Sequence, residues 1–167
     1  SESDIEYLKS IGYQEDFLSY LKDLKFTGNI RSMHEGELCF GNEPLMRVEA
    51  PLIQAQLIET MLLNIVNFHT LITTKASRIR QVALDDMLME FGTRRAQEAG
   101  AALWGARASY IGGFNSTSNV RAGKLFGIPV SGTHAHAMVQ TYGDEYIAFK
   151  KYAERHKDCV FLVDTFH

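Results

Sequence analysis

The chain has 167 residues, of which 46% are hydrophobic and 22% charged, enough apolar surface for a domain with a real core and too much for a disordered chain. A net charge of −3 and a pI near 6.1 give no global basic field, which argues against nucleic acid as an obligatory partner and leaves any anion to be met locally. Cys39 and Cys159 have neither a C-x-x-C partner nor a metal-ligand spacing, and read as buried thiols of a reducing, cytoplasmic compartment.

In chain order, residues 1–9 are acidic and polar and do not read as a signal peptide. Ser3 or Asp4 is placed to cap a short helix through Lys9 that Gly12 stops, and a second amphipathic helix over 14–24 lines up Phe17, Leu18, Leu21 and Leu24 on one face. Gly28 and Asn29 read as a turn, and 37–40 and 45–48 as two short strands joined at Gly41-Asn42. Glu35, Glu37, Glu43 and Glu49 read as a solvated edge. Pro51 suits a first helical position, and no Gly or Pro follows until past Val82. Over about 51–82 Leu52, Ile53, Leu57, Met61, Leu63, Ile65 and Leu71 distribute around nearly the whole circumference, so the expectation is a long helix, or a kinked pair, buried on most sides. Its uncharged run, 60–74, contains Asn64, Asn67 and His69 and is too short and polar to span a bilayer, so no membrane partner is expected. His69 reads as a hydrogen-bonded core histidine, and Lys75, Arg78 and Arg80 as cations favoured at a helix end.

After Asp85-Asp86 the grammar changes. Apolar runs at 88–91, 113–114, 128–130 and 159–163 each give way to polar side chains, and helices are expected over 95–110 around Trp104, over 119–126 closed by Gly127, and over 135–156 with an interruption at Gly143-Asp144. The fold class is therefore α/β: a helical/α+β segment over 1–86, then parallel strand–helix units over 87–167 whose strand ends face one common site. Four parallel strands leave open edges, so the chain reads as part of a larger polypeptide.

The residues that could carry chemistry lie at those strand ends. Arg94 and Arg95 directly follow a strand, where two adjacent guanidinium groups would be costly unless one meets a carboxylate or phosphate, or is paired with Glu90 or Glu98. Ser116, Thr117, Ser118 and Asn119 fit a helix cap or, through hydroxyls and amides, a phosphate cradle. The run I-P-V-S-G-T-H-A-H at 128–136 offers Thr133, His134 and His136. His134 and His136 fit an H-x-H metal pair of a barrel hydrolase, a lone nucleophilic imidazole, or two histidines bonded within a loop, and spacing does not choose. Asp164 is a lone carboxylate suited to Mg²⁺ or a ribose hydroxyl. A non-catalytic assembly module, with the long helix against a partner, is the alternative outside enzymes.

The stretches 35–47 (E-G-E-L-C-F-G-N-E-P-L-M-R), 54–68 (Q-A-Q-L-I-E-T-M-L-L-N-I-V-N-F), 90–97 (E-F-G-T-R-R-A-Q), 102–113, 117–123 and 129–136 together resemble the nicotinate phosphoribosyltransferase family, collinearly over most of the chain. The resemblance implies condensation of nicotinate with phosphoribosyl pyrophosphate, coupled to ATP hydrolysis, with Mg²⁺ on the polyphosphates. It implies that His136 is the histidine phosphorylated by ATP and that Thr133 contacts nicotinate, with His134 a neighbour and not a metal ligand. It puts Arg94 and Arg95 toward nicotinate carboxylate or substrate phosphate, beside Ser118 and Asn119 as further substrate contacts. The family fold it implies is an irregular (β/α) barrel packed with an α+β domain, usually a homodimer, of which 87–167 would be the first half. Ala137 and Met138 stand where some members have Glu-Trp, and Asn115 where close relatives have an acidic residue. Because the family is longer at both ends, the chain alone is expected to hold half a site with little or no turnover.

Overall fold

The structure, a computed structural model, describes residues 1–166 and divides into two compact units, Ser1–Asn64 and from Ile65 onward. The first opens with α1 (Glu2–Ser10), capped by Ser1, whose hydroxyl takes the Asp4 N–H while Asp4 reaches back to the cap residue. The cap is thus Ser1 rather than the expected Ser3 or Asp4, and Asp4 instead completes a capping box. The second helix, α2 (Glu15–Lys22), buries Leu18, and Leu24 falls past its end. A Lys9–Glu15 ion pair joins α1 to α2, and each charge favours the other, raising the Lys9 ammonium and lowering the Glu15 carboxyl from their ordinary values.

Strands β1 (Asn29–Ser32) and β2 (Met46–Glu49) pair antiparallel, from Asn29↔Glu49 to Ser32↔Met46. The expected strand over 37–40 does not form, so the partner of β2 is the earlier segment. Short-range carboxylate bonds decide this: Glu37 accepts from the His34 N–H and Glu43 from the Phe40 N–H, folding the connection into turns. Asn42, with φ 71°, keeps the expected turn. At Gly28 a Cβ would lie 2.4 Å from the Ala50 Cβ and 2.6 Å from the Glu49 carbonyl, so only glycine admits this approach.

The long helix is one element, α3 (Leu52–Ala83), and the boundary between units falls inside it rather than near 86. Its burial on most sides is not realised in this chain: Leu52 is 78% exposed, Leu63 63%, Leu71 63% and Val82 85%. The described residues cover only one stripe, through Gln54, which accepts from the Thr27 N–H, and through Thr73, Ala76 and Arg80. Cys39 and Cys159 are half-exposed rather than buried, and neither forms a disulfide. Among the described residues no helix is long and apolar enough to cross a membrane.

From Ile65 onward the elements after α3 are β3 (Met89–Glu90), a 3₁₀ turn (Thr93–Arg95), α4 (Glu98–Ile111), β4 (Ser116–Thr117), α5 (Val120–Phe126), α6 (His136–Tyr142) and α7 (Glu145–Ala153). β3 and β4 pair in parallel, Met89↔Ser116 and Glu90↔Thr117, and a parallel bridge joins Thr117 to Val130. Three of the four expected strands thus lie side by side, the second starting at Ser116 instead of Gly113. No strand forms over 159–163. What the described residues build is a small parallel sheet, short of a barrel.

α4 buries Ala102, Ala106, Ala108 and Ser109, and this small-residue face lets backbones meet. Thr73 donates to the Ala108 carbonyl at 3.1 Å, and a Cβ on Gly112 would sit 2.5 Å from the Ala76 Cβ. Arg80, read from the sequence as a helix-end cation, instead donates to the carbonyls of Leu84, Asp86 and Gly113 and to the Asn115 side chain. α5 closes as expected on Gly127 at φ 69°. Gly143 ends α6 and Asp144 caps α7 by accepting from the Ile147 N–H.

Candidate active site

Parallel pairing fixes where the site can be. With β3, β4 and Val130 in register, the segments that follow them, 91–95, 118–119 and 131–136, leave the sheet at one edge. Backbone bonds hold that edge: the Ser118 N–H donates to the Glu90 carbonyl and the Ser131 N–H to the Thr117 carbonyl. Beneath it lies a side-chain network centred on Thr117, which is fully buried. Its hydroxyl donates to Glu90 Oε2 at 2.6 Å and accepts from the Asn119 N–H at 3.0 Å, while Glu90 Oε1 takes the Gly92 N–H. The Ser116 and Ser131 hydroxyls meet at 2.7 Å. Glu90 is thus committed to the sheet edge and is not the partner of Arg94 or Arg95. Its role was signalled by a carboxylate set inside an apolar run, which needs donors wherever it is buried.

Arg94 and Arg95 occupy the 3₁₀ turn directly after β3 and are exposed. The desolvation argument made for them from sequence therefore does not hold. Neither makes a hydrogen bond or ion pair among the described residues, so both keep their donor sets for an anion. Glu98 does not pair with them either: at φ 79° it turns its carboxylate to the Gly100 N–H. Ser118 is exposed, and Asn119 uses its side-chain oxygen to cap α5 by accepting from the Ala122 N–H at 3.1 Å.

The two histidines part company. His136, first residue of α6, places Nδ1 3.1 Å from the Thr165 hydroxyl and Nε2 3.9 Å from Asp164 Oδ1. His134 is 7% exposed and its Nε2 accepts the Leu162 N–H at 3.0 Å. Its ring lies among Phe149, Tyr152 and Phe161, with centroids 5.4, 5.0 and 6.3 Å away. An Nε2 lone pair spent on an amide is not offered to a metal, so the H-x-H spacing does not converge on an ion; among the described residues no group of three His, Cys, Asp or Glu is set to hold one. Thr133 donates to the His134 carbonyl at 3.0 Å and is half-buried. Thr165 at His136 was missed in the sequence, since no local spacing ties residues that far apart, and Asp164 was seen only as a lone carboxylate.

Residues 1–67 match the family model for the nicotinate phosphoribosyltransferase (NAPRTase) N-terminal domain. The chain is 69% identical over 167 residues to nicotinate phosphoribosyltransferase of Bacillus subtilis, covering 99% of this chain and 34% of that protein. It is 44% identical over 147 residues to the Caenorhabditis elegans enzyme of the same name, covering 85% of this chain and 26% of that protein. Among solved structures it superposes on human nicotinic acid phosphoribosyltransferase with a TM-score of 0.78 at 39% identity, over 84% of this chain and 29% of that one. Nicotinate-nucleotide pyrophosphorylase from Pyrococcus furiosus gives a TM-score of 0.78 at 30% identity, over 85% and 37%. The chain thus spans between about a quarter and about a third of the length of the relatives it matches. The collinear sequence, the parallel strand–helix units and the edge they form make one assignment: this chain belongs to the nicotinate phosphoribosyltransferase family.

Proposed function

We propose that the chain carries the phosphoacceptor edge of a nicotinate phosphoribosyltransferase, which joins nicotinate to phosphoribosyl pyrophosphate, releases pyrophosphate and draws on ATP hydrolysis in NAD salvage. The observation that carries this reading is the 69% identity to the Bacillus subtilis enzyme over 99% of this chain, a span that includes Arg94, Arg95, Thr133 and His136. His136 is the phosphoacceptor: a ring nitrogen with its lone pair free attacks the γ-phosphorus, the bond to the bridging oxygen breaks, ADP departs, and water later cleaves the N–P bond. Arg94 and Arg95 meet nicotinate carboxylate and substrate phosphate, Thr133 orients nicotinate, and Ser118 and Asn119 add donors for phosphate. The charge acquired by phosphohistidine reorganises an edge lined with guanidinium and amide donors, so the energy of ATP appears as tighter substrate binding.

Mg²⁺ fits this edge as an ion carried by phosphate oxygens and steadied by a single carboxylate such as Asp164; it neutralises polyphosphate charge when bound. In the longer relatives' context, the strand–helix units are an arc of an irregular (β/α) barrel, in a cytoplasmic homodimer. Because the chain spans about a third of the Bacillus subtilis enzyme's length and carries only part of the site, turnover requires the longer chain. The test is incubation with γ-labelled ATP of this sequence extended to family length. Label appears on the wild type and falls to background in His136→Ala, with ATP-coupled turnover down by about 10³-fold or more. Undiminished labelling of His136→Ala refutes the assignment.

A further inference from the structure

The bond from the Leu162 N–H to His134 Nε2 links residues 28 apart, and the contact of His136 with Thr165 links residues 29 apart. The two segments therefore run side by side in the same direction, and His134 fixes their register one step before His136 meets Asp164 and Thr165. The bond requires the neutral ring with its proton on Nδ1, which is buried without a partner and enclosed by Phe149, Tyr152 and Phe161. An apolar side chain would fill the same space without burying an unmatched N–H, so the histidine contributes something other than volume: an acceptor aimed at one amide.

We infer that His134 is a positioning residue for His136: by holding the Leu162 amide it seats the Thr165 hydroxyl against His136 Nδ1, which pins the imidazole plane and so the direction in which Nε2 points. This rests on the reading of His136 as phosphoacceptor for its catalytic meaning, but not for its geometry. A ring nitrogen attacks phosphorus only when its lone pair points along the line of approach, so fixing the ring's orientation determines whether Nε2 is aimed at the target.

The experiment is ¹⁵N NMR of the histidine rings, at a fixed pH where both are neutral, combined with hydrogen exchange at the Leu162 amide, in the 167-residue chain. In the wild type His136 Nδ1 gives the shift of a hydrogen-bonded ring nitrogen. In His134→Leu the Leu162 amide exchanges roughly tenfold faster, as loss of one hydrogen bond predicts, and the His136 Nδ1 shift moves to that of a solvent-exposed ring. His134→Gln, which keeps a side-chain acceptor, restores both. Leu162→Pro removes the donor and leaves His134 untouched, so it reproduces the shift change even where His134→Leu fails to fold. His136 shifts that ignore these substitutions in any folded variant, or a Gln variant that behaves like Leu, overturn the inference. Loss of labelling by ATP with these signals intact overturns the proposed function instead.

Discussion

Thr117 and Glu90 illustrate how one hydroxyl sets the edge on which the chemistry depends. Replacing Thr117 with Val keeps the shape and removes a donor to Glu90 and an acceptor for Asn119, leaving a carboxylate oxygen and an amide unmatched beneath the sheet edge. Thr117→Val should cost about 1–3 kcal/mol in urea unfolding, and Thr117→Ser well under half of that. Equal losses would show that packing, not hydrogen bonding, holds the edge. At this scale the candidate side chains could be named from sequence and their structural supports could not. His136, Arg94 and Arg95 announce themselves as polar groups straight after apolar runs. Thr165 and Leu162 meet the histidines only through tertiary placement, which no local pattern encodes.

At the scale of elements, caps and breakers in the sequence located ends well, and strand pairing poorly. Gly127 and Gly143 closed helices where expected because left-handed φ is cheap only without a Cβ. The β1–β2 pairing was misread because 37–40 (Glu-Leu-Cys-Phe) is a more apolar run than 29–32 (Asn-Ile-Arg-Ser), and carboxylate-to-amide bonds in the connection fold it into turns. Two glycines separate backbone conformation from contact. Gly127→Ala meets nothing within 4 Å and should cost about 1 kcal/mol for its φ alone. Gly112→Ala has an ordinary φ but drives a methyl against Ala76 and the Thr73 carbonyl, and should cost about 1–3 kcal/mol as α3 and α4 are forced apart. Denaturation of both variants ranks the two effects, and a Gly127→Ala loss exceeding that of Gly112→Ala contradicts the close α3–α4 approach.

For the molecule as a whole, composition and the strand–helix grammar were enough for a mixed helix and strand fold with a short parallel sheet, but not for a barrel, and the burial of α3 was read from periodicity that this chain does not satisfy. The apolar side chains run round nearly the whole circumference of α3, and the described residues cover one stripe of it. Leu63 and Leu71 should accept Lys with less than about 0.5 kcal/mol change in stability in this chain, and the double variant should bind less of a hydrophobic dye. A loss of several kcal/mol would mean that these side chains are already covered.

Arg80 gathers the carbonyls of Leu84, Asp86 and Gly113 and the Asn115 side chain onto one planar group. The exit of α3 and the approach to β3 and β4 are consequently a single mechanical joint, in which no strand can loosen at that corner without the others. Lysine, with one nitrogen in place of three, cannot span these four acceptors. Disturbance entering at this corner is transmitted to Leu88, whose N–H shares the Asn115 oxygen, and so to the foot of the strand that carries the arginine turn.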